Sequence, residues 1–166
     1  MAKGKTTPAR VPRVATTQPR HAIRGSVHAV LKRTGSSLGL TRGSVAQFVQ
    51  QLETGLPFRV LENLHDATGL SLAEVAARTR ISERTLARRK REGRFNLDES
   101  ERILRIATVF ERAVDLFEGD RAAAMRWLQT SRDVFGGATA LEFAETEVGA
   151  REVEDVIERI EYGVIA

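Results

Sequence analysis

The segment SLAEVAARTRISERTLARRKR, residues 71–91, gives the strongest indication of the fold. It contains two short segments with helical character and a tight break between them. Ser71 and Glu74 form a capping box for the first segment, and Ser82 supplies the N-cap of the second. The small side chain of Ala76 lets two helices cross closely. The apolar wedge between them consists of Val75, Ile81 and Leu86. This spacing predicts a helix-turn-helix unit.

The turn of this unit departs from the usual pattern at one position. The residue before Ile81 is commonly glycine in such units, because the turn requires a left-handed backbone that glycine adopts without strain. Here the residue is Arg80. Either the turn has a different geometry, with the helix boundary shifted by one residue, or Arg80 tolerates the strain.

The second segment presents a basic face. Five of the twelve residues in 82–93 are Arg or Lys. On a helical wheel with Leu86 facing the core, Arg84, Arg88 and Arg91 lie on the opposite side. Arg89 and Lys90 fall nearer the Leu86 side, where we expect them to pair with acids or to reach phosphates from the rim. The predicted DNA-contacting residues are Ser82, Glu83, Arg84, Thr85, Arg88, Arg89 and Arg91.

The expected partner of this face is double-stranded DNA. The alternative is a solvated surface helix with pairs four residues apart, but the outer face has almost no acids to supply them. A rigid helix fits the wide major groove of DNA and not the deep, narrow groove of A-form RNA. The segment also lacks the aromatic platform on which single-stranded bases stack.

Charge is distributed unevenly along the chain, although the net charge is only +4. No acid precedes Glu53, whereas nine Lys or Arg do. From Asp98 to the end there are sixteen acids and eight Arg. This asymmetry indicates a polyanion, nucleic acid, as the partner of one half and a different partner for the other half.

The sequence predicts an all-α fold of seven to nine helices, because no stretch alternates as a strand does. Residues 1–22 are expected to form a basic disordered tail, and a short helix is predicted over Val27–Arg33. Residues 23–95 are expected to form the helix-turn-helix domain and residues 96–166 a small C-terminal helical domain. Asp98 with Glu101 is predicted to start a long helix there, and residues 150–161 to form the last helix.

Several classes of protein are excluded by composition. The chain has no Cys, and its three His lack metal-ligand spacing, so we expect neither a metal site nor a thiolate nucleophile. It has no P-loop or glycine fingerprint, so we expect no enzyme activity and no cofactor. The absence of an apolar run long enough for a membrane span predicts a cytoplasmic protein without membrane contact.

The motifs from Ile81 onward resemble the Xre/MbcA/ParS antitoxin family. The resemblance rests on an ordered series: Thr85–Arg89 (TLARR), Glu99 with Ser100, Ala124–Leu128 (AMRWL), Gly136 with Gly137, Thr146–Ala150 (TEVGA) and Arg159–Val164 (RIEYGV). Two departures occur, at Thr130-Ser131 and at Ala140, where the family usually has proline.

The resemblance implies a type II antitoxin that represses its own operon and neutralises a co-encoded toxin, usually a RES-domain protein that consumes NAD. It also implies a homodimer formed through the C-terminal region, whose two recognition helices would read paired half-sites. The alternative is a stand-alone helix-turn-helix repressor whose C-terminal domain senses a small molecule. A toxin encoded in the adjacent reading frame would distinguish the two.

The C-terminal segment is the predicted toxin-binding site. The last helix has an apolar stripe at Val153, Val156, Ile157 and Ile160, surrounded by acids, and the chain then ends in apolar residues. We expect this end to enter a pocket of the toxin, because a cleft that holds the NAD pyrophosphate should attract carboxylates. The predicted contact residues are Glu158, Arg159, Glu161, Tyr162, Gly163, Val164 and Ala166.

Overall fold

The computed structural model describes residues 35–40 and 44–163. Its eight α-helices in these ranges are α1 (Val45–Thr54), α2 (Arg59–Thr68), α3 (Leu72–Arg78), α4 (Glu83–Glu92), α5 (Leu97–Leu116), α6 (Arg121–Gln129), α7 (Ala140–Phe143) and α8 (Glu147–Glu161). Two short 3-10 helices, Ser36–Leu38 and Asp133–Phe135, accompany them, and the described residues contain no β-strand. The all-α prediction is confirmed. The predicted tail 1–22 and the predicted helix Val27–Arg33 lie outside the described residues.

Most helix starts lie where local capping signals predict them. In seven of the eight described helices the N-cap side chain accepts a hydrogen bond from the backbone N–H three residues later, as expected of a cap. These N-caps are Ser44, Ser71, Ser82, Asn96, Asp120, Thr139 and Thr146. Capping involves only residues close in sequence, and it therefore does not depend on tertiary contacts.

Two predicted helix starts are wrong. α5 begins at Leu97 and is capped by Asn96, whose Oδ1 accepts from the Glu99 N–H at 2.8 Å while Glu99 Oε2 accepts from the Asn96 N–H at 2.9 Å. This reciprocal box leaves Asp98 inside the first turn instead of at the cap. α8 begins at Glu147 and not at residue 150, because Thr146 caps it through the Gly149 N–H at 3.1 Å.

The loop between α1 and α2 contacts the loop between α4 and α5 at a glycine. Gly55 has φ 87°, and a Cβ added there would lie 2.0 Å from the Phe95 carbonyl oxygen. Beside this contact, the Phe95 N–H donates to the Leu56 carbonyl at 2.8 Å, and the Phe58 N–H donates to the Gly93 carbonyl at 2.9 Å. Only glycine permits this approach. The contact fixes where α4 ends relative to α2.

α5 is the central helix, and its core side chains are almost completely buried. Its inward face presents Ile103, Ile106, Val109 and Phe110. One continuous apolar core contains residues from both halves of the chain, so the predicted boundary at residue 95 falls just before a helix that packs on both. α5 and α8 run in the same direction, because Arg105 pairs with Glu147 and Arg112 attracts Glu154 at the same sequence separation.

A buried carboxylate on α5 holds the 3-10 helix Ser36–Leu38. Glu111 accepts from the Gly35 N–H at 2.9 Å, and from the Ser37 N–H and hydroxyl at 2.6 Å each. Burial raises the pKa of the Glu111 carboxyl, and these hydrogen bonds oppose that rise without cancelling it. Glu111 therefore anchors the segment before α1 to the centre of the molecule.

The predicted apolar stripe of the last helix is only partly buried. Val153, Val156 and Ile157 are buried, whereas Ile160, the last residue of the stripe, is 47% exposed. None of the helices in the described part of the chain has the length and apolar character of a membrane span.

Candidate nucleic-acid interface and C-terminal surface

α3, a tight turn and α4 form the predicted helix-turn-helix unit. Thr79 ends α3, and its hydroxyl donates to the Val75 carbonyl at 2.8 Å. Arg80 follows with φ 53°. This value decides between the two alternatives for the turn, since Arg80 itself adopts the left-handed backbone that glycine usually supplies. Ile81 then enters the core, and Ser82 caps α4.

The outer side of α4 is the cationic face that the helical wheel predicts. α4 has no buried residue, and Arg84, Arg88 and Arg91 are all exposed. Arg88 Nε lies 3.9 Å from Glu92 Oε1. Within the described residues, Arg84 and Arg91 form no ion pair. Charges of one sign on one exposed face attract a polyanion.

The first turn of α4 holds two more of the predicted contact residues in one hydrogen-bonded unit. Ser82 Oγ accepts from the Thr85 N–H at 3.2 Å and donates to Thr85 Oγ1 at 2.9 Å. Because the Thr85 hydroxyl accepts in this contact, its own proton is available to a phosphate or base edge. Glu83 is exposed beside them.

Arg89 occupies a different environment from the other arginines of α4. Its side chain is 15% exposed, and its Nε and Nη2 donate to the two oxygens of Glu99 at 2.6 and 3.0 Å. Nη1 also contacts Glu92. The hydrogen bonds that Arg89 donates to Glu99, and then to Glu92, raise the pKa of Arg89. Of the two roles predicted for this side chain, pairing with acids is the one the structure contains.

Glu99 is the buried partner in this pair. Burial raises the pKa of its carboxyl, but the hydrogen bonds from Arg89 and from the Asn96 N–H outweigh it, so the pKa is lowered overall. Next to it, Ser100 Oγ accepts from the Leu56 N–H at 2.9 Å and donates to the Asn96 carbonyl at 2.6 Å. The Glu-Ser pair seen in the sequence thus fastens α4 and the α1–α2 loop to the start of α5.

The last turns of α8 form the acidic C-terminal surface. A shallow groove of about 350 Å³ is lined by Glu152, Asp155, Glu158, Arg159 and Tyr162. Arg159 Nη2 donates to Glu152 Oε1 at 2.8 Å, while Tyr162 is 56% exposed. The groove therefore combines carboxylates with a largely exposed aromatic ring.

The structure brings together some, but not all, of the predicted toxin-binding residues. Glu158, Arg159 and Tyr162 share the groove, and Glu161 and Gly163 are exposed beside it. Val164 and Ala166 lie outside the described residues. Two groove residues, Glu152 and Asp155, were not among the predicted contacts. Asp155 lies three residues after Glu152 and four residues before Arg159, so all three side chains share one face of the helix. This spacing is the signal that could have identified Glu152 and Asp155.

Comparison with known protein families matches both halves of the chain. Residues 47–108 match the model described as "Antitoxin Xre-like helix-turn-helix domain". Residues 112–163 match the model described as "Antitoxin Xre/MbcA/ParS C-terminal toxin-binding domain". The first range includes α3 and α4, and the second includes all of α8. The two surfaces described above therefore lie in separate matched domains.

Similar proteins carry the name "Antitoxin Xre". One from Yersinia enterocolitica is 38% identical over 130 residues, covering 78% of this chain and 86% of that protein. One from Photorhabdus laumondii is 33% identical over 116 residues, covering 69% of this chain and 78% of that protein. By this likeness and by both domain matches, the chain belongs to the Xre/MbcA/ParS antitoxin family.

Proposed function

We propose that this protein is a cytoplasmic type II antitoxin that represses its own operon through α4 and neutralises a RES-domain, NAD-degrading toxin through the end of α8. One observation carries the proposal. The cationic face of α4 and the acidic groove of α8 are separate surfaces, and each lies in the family domain suited to its partner. One chain can therefore bind an operator and a toxin with different residues.

On the DNA side, α4 enters the major groove with Arg84, Arg88 and Arg91 facing the duplex. The first turn brings Ser82, Glu83 and Thr85 to base edges or phosphates. A homodimer would place two such helices on paired half-sites. Phosphate contacts of this kind release counterions, so affinity should fall by about 0.9 log units per log unit of salt for each phosphate contacted.

Arg89 contributes to DNA binding by a different route. Its guanidinium is engaged by both oxygens of buried Glu99, so it holds α4 against α5 instead of facing the duplex. A bidentate pair fixes the direction of the side chain as well as its position. We therefore assign Arg89 a positioning role and leave the phosphate and base contacts to the exposed arginines.

On the toxin side, the groove near the end of α8 supplies carboxylates and an exposed tyrosine. A cleft that binds the pyrophosphate of NAD needs positive charge, and an acidic helix end fits such a cleft. Tyr162 adds an aromatic anchor of the kind enriched at the centres of interfaces. Occupation of the cleft by this end would exclude NAD.

The test is co-expression with the product of the adjacent reading frame. Deleting Tyr162–Ala166 should abolish rescue of growth and co-purification while leaving operator binding intact. The double variant Arg84→Ala/Arg88→Ala should show the opposite pattern, with operator binding lost and rescue retained. The proposal is wrong if the truncated protein still rescues growth at full strength, or if the intact protein ignores its own upstream DNA in low-salt buffer.

A further inference from the structure

The turn of the helix-turn-helix unit is held by a carboxylate from the other half of the chain. Glu145 Oε1 accepts from Arg78 Nη1 at 3.0 Å, and Glu145 Oε2 accepts from Arg80 Nε at 3.3 Å. One carboxylate thus spans the two arginines on either side of Thr79. Arg78 also lies 3.5 Å from Glu142 Oε1.

This turn is the strained point of the unit. Arg80 has φ 53°, a backbone conformation that costs a non-glycine residue about 1 kcal/mol. Backbone groups on both sides of it are hydrogen-bonded, with the Ile81 N–H donating to the Ala76 carbonyl at 2.8 Å and Arg102 Nη1 donating to the Arg80 carbonyl at 3.2 Å. Strain of this kind persists only where the surroundings over-determine the conformation.

The junction that presents Glu145 is itself tightly constrained. Glu145 lies between α7 and α8, and its carbonyl accepts from Arg105 Nη1 at 3.1 Å. A Cβ added at Gly149 would lie 1.8 Å from the Phe143 carbonyl oxygen, so the first turn of α8 packs backbone against backbone on the end of α7. Arg105 also pairs with Glu147 at 3.1 Å. The Glu145 carboxylate therefore contacts the turn from a tightly packed junction.

We propose that Glu145 is a positioning residue that determines the operator specificity of α4. It keeps Arg80 in the left-handed conformation and so sets the angle at which α4 leaves α3. It also occupies two guanidinium groups that would otherwise attract any phosphate backbone. This inference rests on the proposed DNA-binding function, and it assigns to the toxin-binding half a part in reading DNA.

The two effects of Glu145 predict opposite changes in two affinities. In Glu145→Gln the turn loses its clamp, so we expect affinity for the chain's own upstream DNA to fall about tenfold, the effect of about 1.4 kcal/mol. The released Arg78 and Arg80 should raise affinity for a random-sequence duplex of equal length and steepen its salt dependence, by up to about 0.9 per added phosphate contact. Both changes lower the ratio of operator affinity to random-duplex affinity, which is the specificity ratio.

A second substitution separates positioning from general damage. Glycine adopts the left-handed conformation freely, so Arg80→Gly should restore operator affinity in the Glu145→Gln background without restoring the ion pairs. Glu53→Gln, which removes one exposed charge on α1, is the charge-matched control and should leave the ratio unchanged. Fluorescence anisotropy gives the affinities, and circular dichroism melting shows whether each variant is folded.

The outcomes are distinguishable. Parallel changes in both affinities, an unchanged ratio, or the absence of rescue by Arg80→Gly would overturn the role of Glu145 while leaving DNA binding by α4 in place. If Glu145→Gln alone does not fold, Arg80→Gly/Glu145→Gln should fold, because glycine adopts the left-handed conformation without the clamp; failure of this double variant to fold would also overturn the role of Glu145. A wild-type protein with no preference for its own upstream DNA would instead contradict the proposed function.

Discussion

α4 and α8 carry the two proposed binding surfaces, and they are attached to the molecule in opposite ways. α4 has ten residues and none of them is buried. α8 has fifteen, and Val153 and Ile157 on its inner face are fully buried. α4 is held by the wedge residues, by the pair between Arg89 and Glu99 and by the clamped turn, whereas α8 is held by apolar packing on α5.

This difference predicts how each helix should respond to substitution, salt and pH. Apolar burial is non-directional and insensitive to charge, so α8 tolerates a variable acidic exterior. Polar pairs fix direction, which a helix that reads base edges requires. The position of α4 should therefore be sensitive to protonation and salt. The position of α8 depends instead on the volume of a few core side chains. Four predictions test this contrast.

The largest effect is expected from the core of α8. Ile157→Ala should lower the free energy of unfolding by about 4 kcal/mol, because it removes buried methylene groups and leaves a cavity. Ile160→Ala, the same change one turn later at an exposed position, should cost less than about 0.5 kcal/mol. Urea unfolding followed by circular dichroism measures both. Equal losses in the two variants would contradict the packing described for α8.

The attachment of α4 is tested next by Glu99→Gln. Loss of the buried carboxylate should cost about 2 kcal/mol of unfolding free energy and weaken operator binding. The lowered pKa of Glu99 means that its contribution is present above its unfolded pKa and is lost as pH falls through the folded pKa. The gap between wild type and variant should therefore narrow below about pH 4. Glu101→Gln, exposed on the same helix, should show neither effect.

Removal of an exposed arginine should affect binding without affecting folding. We expect Arg88→Ala to weaken operator affinity by about 1–3 kcal/mol if it contacts a base, or to lower the salt slope by about one if it contacts a phosphate. Lys90→Ala removes one charge from a position nearer the Leu86 side and should have the smaller effect. Anisotropy titrations at several salt concentrations distinguish these results, and equal losses in both variants would indicate a non-specific charge effect.

The ion pair on α8 is expected to contribute little to stability. Arg159 and Glu152 are 40% and 44% exposed, so Arg159→Gln should change unfolding free energy by only about 0.5 kcal/mol. Arg151→Gln, at the pair with Glu147, should behave similarly in unfolding. Toxin affinity by calorimetry should separate them, because only Arg159 lines the groove. A similar toxin affinity in both variants would indicate that Arg159 does not lie in the toxin interface.

Much of the local structure could be predicted because its causes are local. Ser44, Ser71 and Ser82 each cap a helix with a group three residues away. The wheel that placed Leu86 inward and Arg84 outward needs only the helical period. Prediction was wrong where two local signals compete, as at the start of α5, where Asn96 and Asp98 both have an acid three residues later.

The helices, their inner and outer faces, the unequal distribution of charge and the family can be inferred from the sequence alone. Which charges pair across the fold and which face outward depends on the packing of the helices. Arg89 and Arg88 are neighbours of the same type, yet the first lies against Glu99 and the second faces outward. Glu145 lies 67 residues from Arg78 and Glu111 lies 74 from Ser37. Such pairs depend on which helices pack together, because a carboxylate binds whichever donor the apolar core brings within about 3 Å of it.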